Sequence, residues 1–388
     1  MNSLSELVAH TRAQFVAAYG QQADLVAYAP GRINLIGEHT DYNQGLSLPS
    51  GINRWVAAAF RLRPDDRVII RTGNFEGLLD FRGNEHPELD QSWKKYVFGA
   101  VSIFSEHTPR TTGFEAMILG NVPIGSGVSS SAAIEVSVMN GLRALYKGNW
   151  TDLELVLGCQ QVEHRFLNLK SGMLDQYASE FSREGHVLLL DFLSQTHETM
   201  PAEISGWKWV VVDTQVKREL AGATGYRERV QEMAEALEQI QAKDHNVRHF
   251  RDVTTDHLAG LSDEKLRKRV RHVITENERV VQMADALHRG DAVAMGKLLN
   301  ASHQSLRDDY AVSCEEADFL TATAQNLPGC AGARMMGGGF GGATLHLVAE
   351  SHLDDFAAHV CEAYHKQFGI TTFASAFELV GGAAVWQD

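Results

Sequence analysis

Apolar and polar positions recur along this chain at two spacings, and the balance between them changes near residue 216. In residues 3–19, Leu4, Leu7, Val8, Phe15 and Ala18 fall near one face at helical spacing, which predicts an amphipathic helix. Residues 25–29 read as a short strand that Pro30-Gly31 breaks, with 34–36 as its continuation. Residues 55–63, 67–72 and 114–119 carry the β-branched and aromatic residues of strands, the first two joined by a turn at Pro64-Asp65-Asp66. A helix begins at Trp93-Lys-Lys-Tyr96, another covers roughly 129–146, and a third covers 151–169. The third opens with a capping box, Thr151 and Glu154, and carries the stripe Leu155, Cys159, Val162 and Phe166. Residues 185–191 read as a turn and a buried strand, and 207–213 as another strand. Long helical patterns then dominate at 225–243, 262–289 and 291–308, with charge runs such as 264–271 forming a solvated face. The chain closes with a strand at 343–348, a helix at 351–367 and a strand at 372–380. The change of character predicts two domains, 1–205 and 206–388, without a marked linker between them.

Composition agrees with that division. A chain of 388 residues exceeds one ordinary core, and 44% hydrophobic with 22% charged residues is the profile of a globular protein. Lys plus Arg is 35 against 49 for Asp plus Glu, a net charge of -14, which argues against general nucleic-acid binding. One local pocket can still oppose the global sign, so a phosphate ligand stays open. Cys159, Cys314, Cys330 and Cys361 form no C-x-x-C pair, so reduced thiols are expected rather than a zinc site. The opening MNSLSELVAHTRAQF lacks a continuous apolar run, so no signal peptide is read there. No apolar run reaches membrane-span length, and a cytoplasmic location without membrane partners is expected.

Four stretches carry candidate chemistry. Val122-Pro-Ile-Gly-Ser-Gly-Val-Ser-Ser-Ser-Ala-Ala-Ile134 joins a glycine loop, a serine cap and a helix start. That combination is either an ordinary loop-to-helix join or an anion site made by free N–H groups and the helix dipole. Gly37-Glu-His-Thr-Asp-Tyr-Asn43 gathers hydrogen-bonding side chains just after buried-looking strands. It is a plain polar loop or a site for a polyhydroxy ligand. Glu163 falls on the flank of its helix's apolar stripe, about 100° per residue, where it meets either a basic partner or Mg²⁺. Asp175 follows the turn Ser171-Gly172 and reads as an N-cap or a functional carboxylate. Gly337-x-Gly339-x-x-Gly342 matches the dinucleotide fingerprint in letters only, because a strand follows it rather than a helix. The P-loop and protein-kinase motifs are absent.

Pro123-x-Gly125-x-Gly127-Val-Ser-Ser-Ser-Ala-Ala133 is similar to the ATP-binding motif of the GHMP kinases. Residues 332–342 resemble the C-terminal glycine motif of that family. Pro30-Gly-Arg-Ile-Asn-Leu-Ile-Gly-Glu-His-Thr-Asp-Tyr-Asn43 resembles the signature of its galactokinase branch, as do 172–176 and 302–313. The resemblance implies an α+β, two-domain GHMP kinase-like fold, with an N-terminal ribosomal-protein-S5-like domain and a C-terminal ferredoxin-like domain carrying extra helices. It implies transfer of phosphate from ATP, with Mg²⁺, to the anomeric hydroxyl of galactose. On that resemblance Asp175 and Arg32 are catalytic, and Glu38, His39, Asp41, Gly172 and Tyr226 contact the sugar. Trp93 lies by the adenine, and Pro123, Gly125, Ser126, Gly127, Val128, Ser129, Ser130 and Ser131 bind the nucleotide. Ser131 and Glu163 hold the metal. Three departures stand out: Val128 for a leucine, Gly-Met-Leu-Asp-Gln for Gly-Ile-Met-Asp-Gln, and one extra residue between Leu220 and Tyr226. The partners implied are a small sugar and ATP, with no nucleic acid, and a monomer is expected. Two other readings are a kinase for a related sugar (N-acetylgalactosamine, arabinose or galacturonate) and a non-catalytic galactose and ATP sensor. The intact Ser131-Ala132-Ala133, Arg32 and Asp175 argue against the sensor.

Overall fold

The structure is a computed structural model that describes residues 3–83, 85–216 and 224–387. Its largest sheet is built on two long strands, Leu25–Asn34 and Pro49–Leu62, paired antiparallel. Phe114–Gly120 joins Pro49–Leu62 on its far side, followed by Arg67–Thr72 in parallel and Leu79–Arg82 at the edge. One face is covered by the helix Leu4–Tyr19, whose Leu7, Val8 and Phe15 are buried against Val26, Ala57 and Leu119. The other face carries the helices Ser92–His107, Ser130–Tyr146, Asp152–Phe166 and Leu174–Phe181 over the main core.

A second sheet runs Cys330–Met336, Ala343–Ala349, Trp207–Asp213, Ala374–Phe377, all antiparallel. With intervening helices, its chain order makes the β-α-β-β-α-β arrangement of a ferredoxin-like layer. Glu315–Gln325 and Leu353–Phe368 pack on one face through Val210, Val212, Leu320, Phe356 and Tyr364. Thr224–Gln241 and Glu264–His288 add a helical lobe with its own apolar cluster. A small third sheet, Leu46–Ser47, His186–Asp191 and Thr196–Pro201, lies between. The tail does not stay with the second sheet. Leu379–Val380 pairs with Pro49–Leu62, and Ala384–Val385 pairs with Leu25–Asn34.

The chain departs locally from what its pattern predicts. The strand at 25–29 is not ended by Pro30-Gly31 but runs to Asn34, because a register shift between Pro30 and Arg32 absorbs the residue that cannot donate. The third predicted helix stops at Phe166 rather than 169, since Asn168 takes φ 54° and the N–H groups of Leu167 and Leu169 both bond the Glu163 carbonyl. Residues 372–380 form two short strands instead of one, because they serve two different sheets. The helices Leu174–Phe181 and Glu315–Gln325 have no counterpart among the predicted elements.

Candidate active site

The register shift that carries the first strand past Pro30 also aims Arg32 into a cleft between the two sheets. Arg32 is buried and grips Asp175 with two parallel bonds, Nε to Oδ1 and Nη2 to Oδ2, each 2.8 Å. Its Nη1 reaches the Gly127 carbonyl at 2.6 Å, and its backbone N–H the Val128 carbonyl at 3.1 Å. One guanidinium therefore locks together the first strand, the glycine loop and the helix that bears Asp175. Planar, two-pronged pairing of this kind fixes the carboxylate's orientation as well as its charge.

Asp175 is not an N-cap. Met173 holds that position, and Asp175 lies in the first turn of Leu174–Phe181, its carboxylate open to the cleft on one side. Nor does Ser129 cap its helix. It precedes Ser130–Tyr146 with φ 57°, makes no side-chain cap bond, and its hydroxyl donates to Asp175 instead. The loop between Phe114–Gly120 and that helix holds Pro123, Gly125, Ser126, Gly127 and Val128. The hydroxyl of Ser126 is turned away to Asp213 on the second sheet. Gly127 takes φ 65° beside Ala343, a backbone state that glycine adopts without cost.

The helix start separates two cavities. Ser131 faces the acidic cleft with Arg32, Glu38, His39, Asp41, Glu163 and Asp175. Ser130, one residue earlier, faces an apolar slot lined by Val56, Phe75, Trp93, Val97, Ile118 and Ile124. Trp93 is buried there, with its indole N–H on Gln91 at 2.7 Å.

Among the described residues Glu163 meets no basic partner. It is buried and accepts from the Ser171 hydroxyl, and burial, with Asp175 and Asp41 nearby, pushes its carboxyl up to about 7. Asp41 is likewise pushed up to about 7, chiefly by burial and further by Asp175 and Glu38. Gly172 lines the cleft against Asp41, and a Cβ on it would collide with that carboxylate. Glu38 accepts from Arg334 Nη2 at 2.7 Å and from the Gly337 N–H at 2.8 Å. His39 is wholly buried and pulled down to about 3, first by burial and then by His272 and Arg229. Tyr226, from the helix Thr224–Gln241, sets its ring 5.7 Å from that of His39. The extra residue before Tyr226 lies outside the described residues.

Every residue expected at the site thus lines the cleft, the slot or the loop between them. Sequence reasoning missed the second sheet's share. Arg334, fully buried, donates to the Leu35 and Asn34 carbonyls and to Glu38. Glu276 accepts from the Gly37 N–H at 3.0 Å and from Ser302 at 2.7 Å, and His272 bonds the Glu38 carbonyl at 3.1 Å. Gly337 and Gly338 close the cleft's wall. The glycine run at 337–342 is a hairpin loop between two antiparallel strands, the context that excludes a dinucleotide turn.

The sequence matches the galactokinase galactose-binding signature over residues 13–62, the GHMP kinase N-terminal domain over 95–183 and the GHMP kinase C-terminal domain over 283–366. A galactokinase of Roseiflexus sp. (strain RS-1) is 39% identical over 363 residues, covering 93% of this chain and 92% of that protein. The chain belongs to the galactokinase family. A galactokinase of Thermotoga maritima is 38% identical over 342 residues, covering 88% and 94%. The crystal structure of Lactococcus lactis galactokinase complexed with galactose superposes with a TM-score of 0.91 at 34% identity, over 97% of this chain and 99% of that one. A mevalonate kinase of Methanococcus jannaschii, at 16% identity and a TM-score of 0.65 over 92% and 98%, shares the fold alone. The two-sheet architecture is accordingly the α+β fold of GHMP kinases, of which the galactokinase family is one branch.

Proposed function

We propose that this chain transfers the γ-phosphoryl group of ATP to the anomeric hydroxyl of galactose. The observation that carries the reading is the Arg32–Asp175 pair, set between a hydroxyl-binding wall (Glu38, His39, Asp41) and a helix start beside an apolar slot. Phosphoryl transfer asks the protein for positioning and charge stabilisation, with little covalent chemistry. Asp175 accepts the proton of the sugar hydroxyl, and Arg32 holds its carboxylate in line. Asp41 and Glu38 accept from sugar hydroxyls, His39 and Tyr226 complete the wall, and Gly172 leaves room for the ring. An epimer whose hydroxyl points elsewhere leaves a buried carboxylate unpaired, which is the basis for choosing galactose over glucose.

The slot around Trp93 takes the adenine, and the N–H groups from Gly125 to Ser131, with the hydroxyl of Ser130, take the phosphates. Ser129 begins with its hydroxyl on Asp175 and contributes through its backbone. Glu163 and Ser131 are the residues that would hold Mg²⁺. They offer the hard oxygen donors this ion takes, and the crowded carboxylates around Glu163, without a basic partner there among the described residues, are what a divalent cation neutralises. Bound there, the ion offsets the negative charge of the phosphates. The domain boundary at 205/206, a cytoplasmic location and a monomeric state belong to the same reading. Four free cysteines fit a reducing compartment, and among the described residues no helix is long and apolar enough to cross a membrane.

Measuring ADP release over a panel of hexoses and pentoses tests the proposal. Galactose should give the highest kcat/KM. Equal rates across the panel would remove the sugar assignment, and sugar binding without ADP would remove the transfer.

A further inference from the structure

From His39 in the hydroxyl-binding wall, a largely buried run of polar groups that the proposed transfer does not use leads back through Tyr42 and Tyr310 to Asn43. The Nδ1 of His39 is 2.8 Å from the Tyr42 hydroxyl, and that hydroxyl is 2.9 Å from the Tyr310 hydroxyl. The Nδ2 of Asn43 is 2.7 Å from the His39 carbonyl and 3.4 Å from the Tyr310 hydroxyl. Neither distance alone shows which atom carries the hydrogen. Counting donors does.

A carbonyl only accepts, so the amide nitrogen of Asn43 must face the His39 carbonyl, and its second hydrogen then points at Tyr310. The Tyr310 oxygen accepts, and among the described residues its own hydrogen has one acceptor within reach, the Tyr42 oxygen. Tyr42 must then send its hydrogen to His39 Nδ1. The reverse arrangement, with His39 donating to Tyr42 and Tyr42 to Tyr310, leaves the Tyr310 hydrogen without an acceptor on a side chain that is 0% exposed. Buried donors without partners are disfavoured. The groups facing His39 from the neighbouring elements are His272 and Arg229, both of which oppose its protonation, and Glu276, which favours it. Burial outweighs Glu276, so the ring is neutral and has one hydrogen to place. With Nδ1 accepting, that hydrogen sits on Nε2. Among the described residues Nε2 is buried and closes no hydrogen bond, although the Gly338 carbonyl lies beside it on the cleft wall.

We infer that Tyr310 and Tyr42 form a one-way hydrogen-bond relay that holds His39 in the Nε2–H form, with that hydrogen on the side of the Gly338 carbonyl, so that a neutral ring of fixed orientation stands in the wall between two acceptors, Glu38 and Asp41. Tyr42 and Tyr310 are positioning residues for specificity. With the ring neutral and fixed, the wall's acceptors are the two carboxylates, and the sugar must offer hydroxyls that donate to them. The donor pattern rests on geometry and on the burial that keeps the ring neutral, while its use in sugar choice rests on the function proposed above.

The test is ¹⁵N NMR of the full chain labelled on histidine, with His39 assigned by its loss in His39→Gln. Wild type should show a protonated Nε2 and an unprotonated, hydrogen-bonded Nδ1 at pH 7. Tyr42→Phe should shift His39 to a mixture of tautomers and raise KM for galactose about five- to tenfold, the weight of one hydrogen bond, with kcat within about twofold. His39→Gln keeps a donor at similar reach and should recover most of the affinity that His39→Glu loses. A wild-type ring with its hydrogen on Nδ1 overturns the relay, whatever the variants do. The expected tautomer with no change of KM in Tyr42→Phe or His39→Glu keeps the relay and overturns its part in sugar binding.

Discussion

At the scale of single residues, the site depends on a few carboxylates and on what accompanies each. Asp175→Asn keeps the shape and the Ser129 contact but removes the proton acceptor. Turnover should fall roughly a thousandfold, and because the amide turns an NH2 toward an N–H of buried Arg32 the melting temperature should fall as well. Near-normal turnover by ADP release would take Asp175 out of its role. Arg334→Met is the opposite case. It leaves Glu38 buried beside only a backbone donor, so the loss should appear as about 3–5 kcal/mol of stability in denaturant unfolding, before any kinetic effect. Glu163 was legible from helical periodicity, because its flank position follows from the stripe Leu155, Cys159 and Val162, all buried. Arg334 was not. Nothing local in Gly332-Ala-Arg-Met-Met336 announces an arginine that is 0% exposed, since its partners lie some 300 residues away in sequence.

Elements are legible where the pattern is long and illegible where tertiary partners decide. The helix Asp152–Phe166 and its capping box came from spacing alone, and both halves of the box form. Thr151→Ala should therefore cost about 1 kcal/mol in thermal unfolding and leave kcat and KM unchanged. The continuation of the first strand through Pro30 could not be read locally. Its pairing along Pro49–Leu62 outweighs the break that a proline and a glycine suggest. The same limit applies to Ser129, where a serine before a helix reads as a cap until Asp175 claims its hydroxyl. The turn at Gly172 is the tightest element of the cleft. Gly172→Ala pushes Asp41 aside, and a displacement of that order should lower kcat/KM for galactose about a hundredfold, with KM for ATP little changed.

Over the whole molecule, fold class and the order of the motifs were readable because resemblance runs along almost the entire chain. The joining of the two lobes was not, since the groups that tie residues 34–38 to the second lobe (His272, Glu276 and Arg334) carry no shared local pattern. Buried histidines give the molecule an acid limit. His346, in the second sheet, is held well below its usual range, at about 3, by burial and by His303. A histidine lowered in the fold lends its stability above the unfolded value near 6.5 and loses it as pH falls toward 3. Unfolding free energy should decline over that window, and His346→Gln should flatten the decline by up to one proton, about 1.4 kcal/mol per pH unit. An unchanged slope in the variant would mean that His346 is not buried neutral.

The return of the tail to the first sheet has a consequence for how the protein is made. Ala384–Val385 lies at the edge beside Leu25–Asn34, the strand that carries Arg32. On a ribosome, residues 25–34 emerge long before the strand that flanks them. Until that strand arrives, Leu25–Asn34 exposes unpaired N–H and C=O groups along this edge, a template for pairing with other nascent chains. The strand that carries Arg32 therefore keeps an open edge until residues 384–385 have been made.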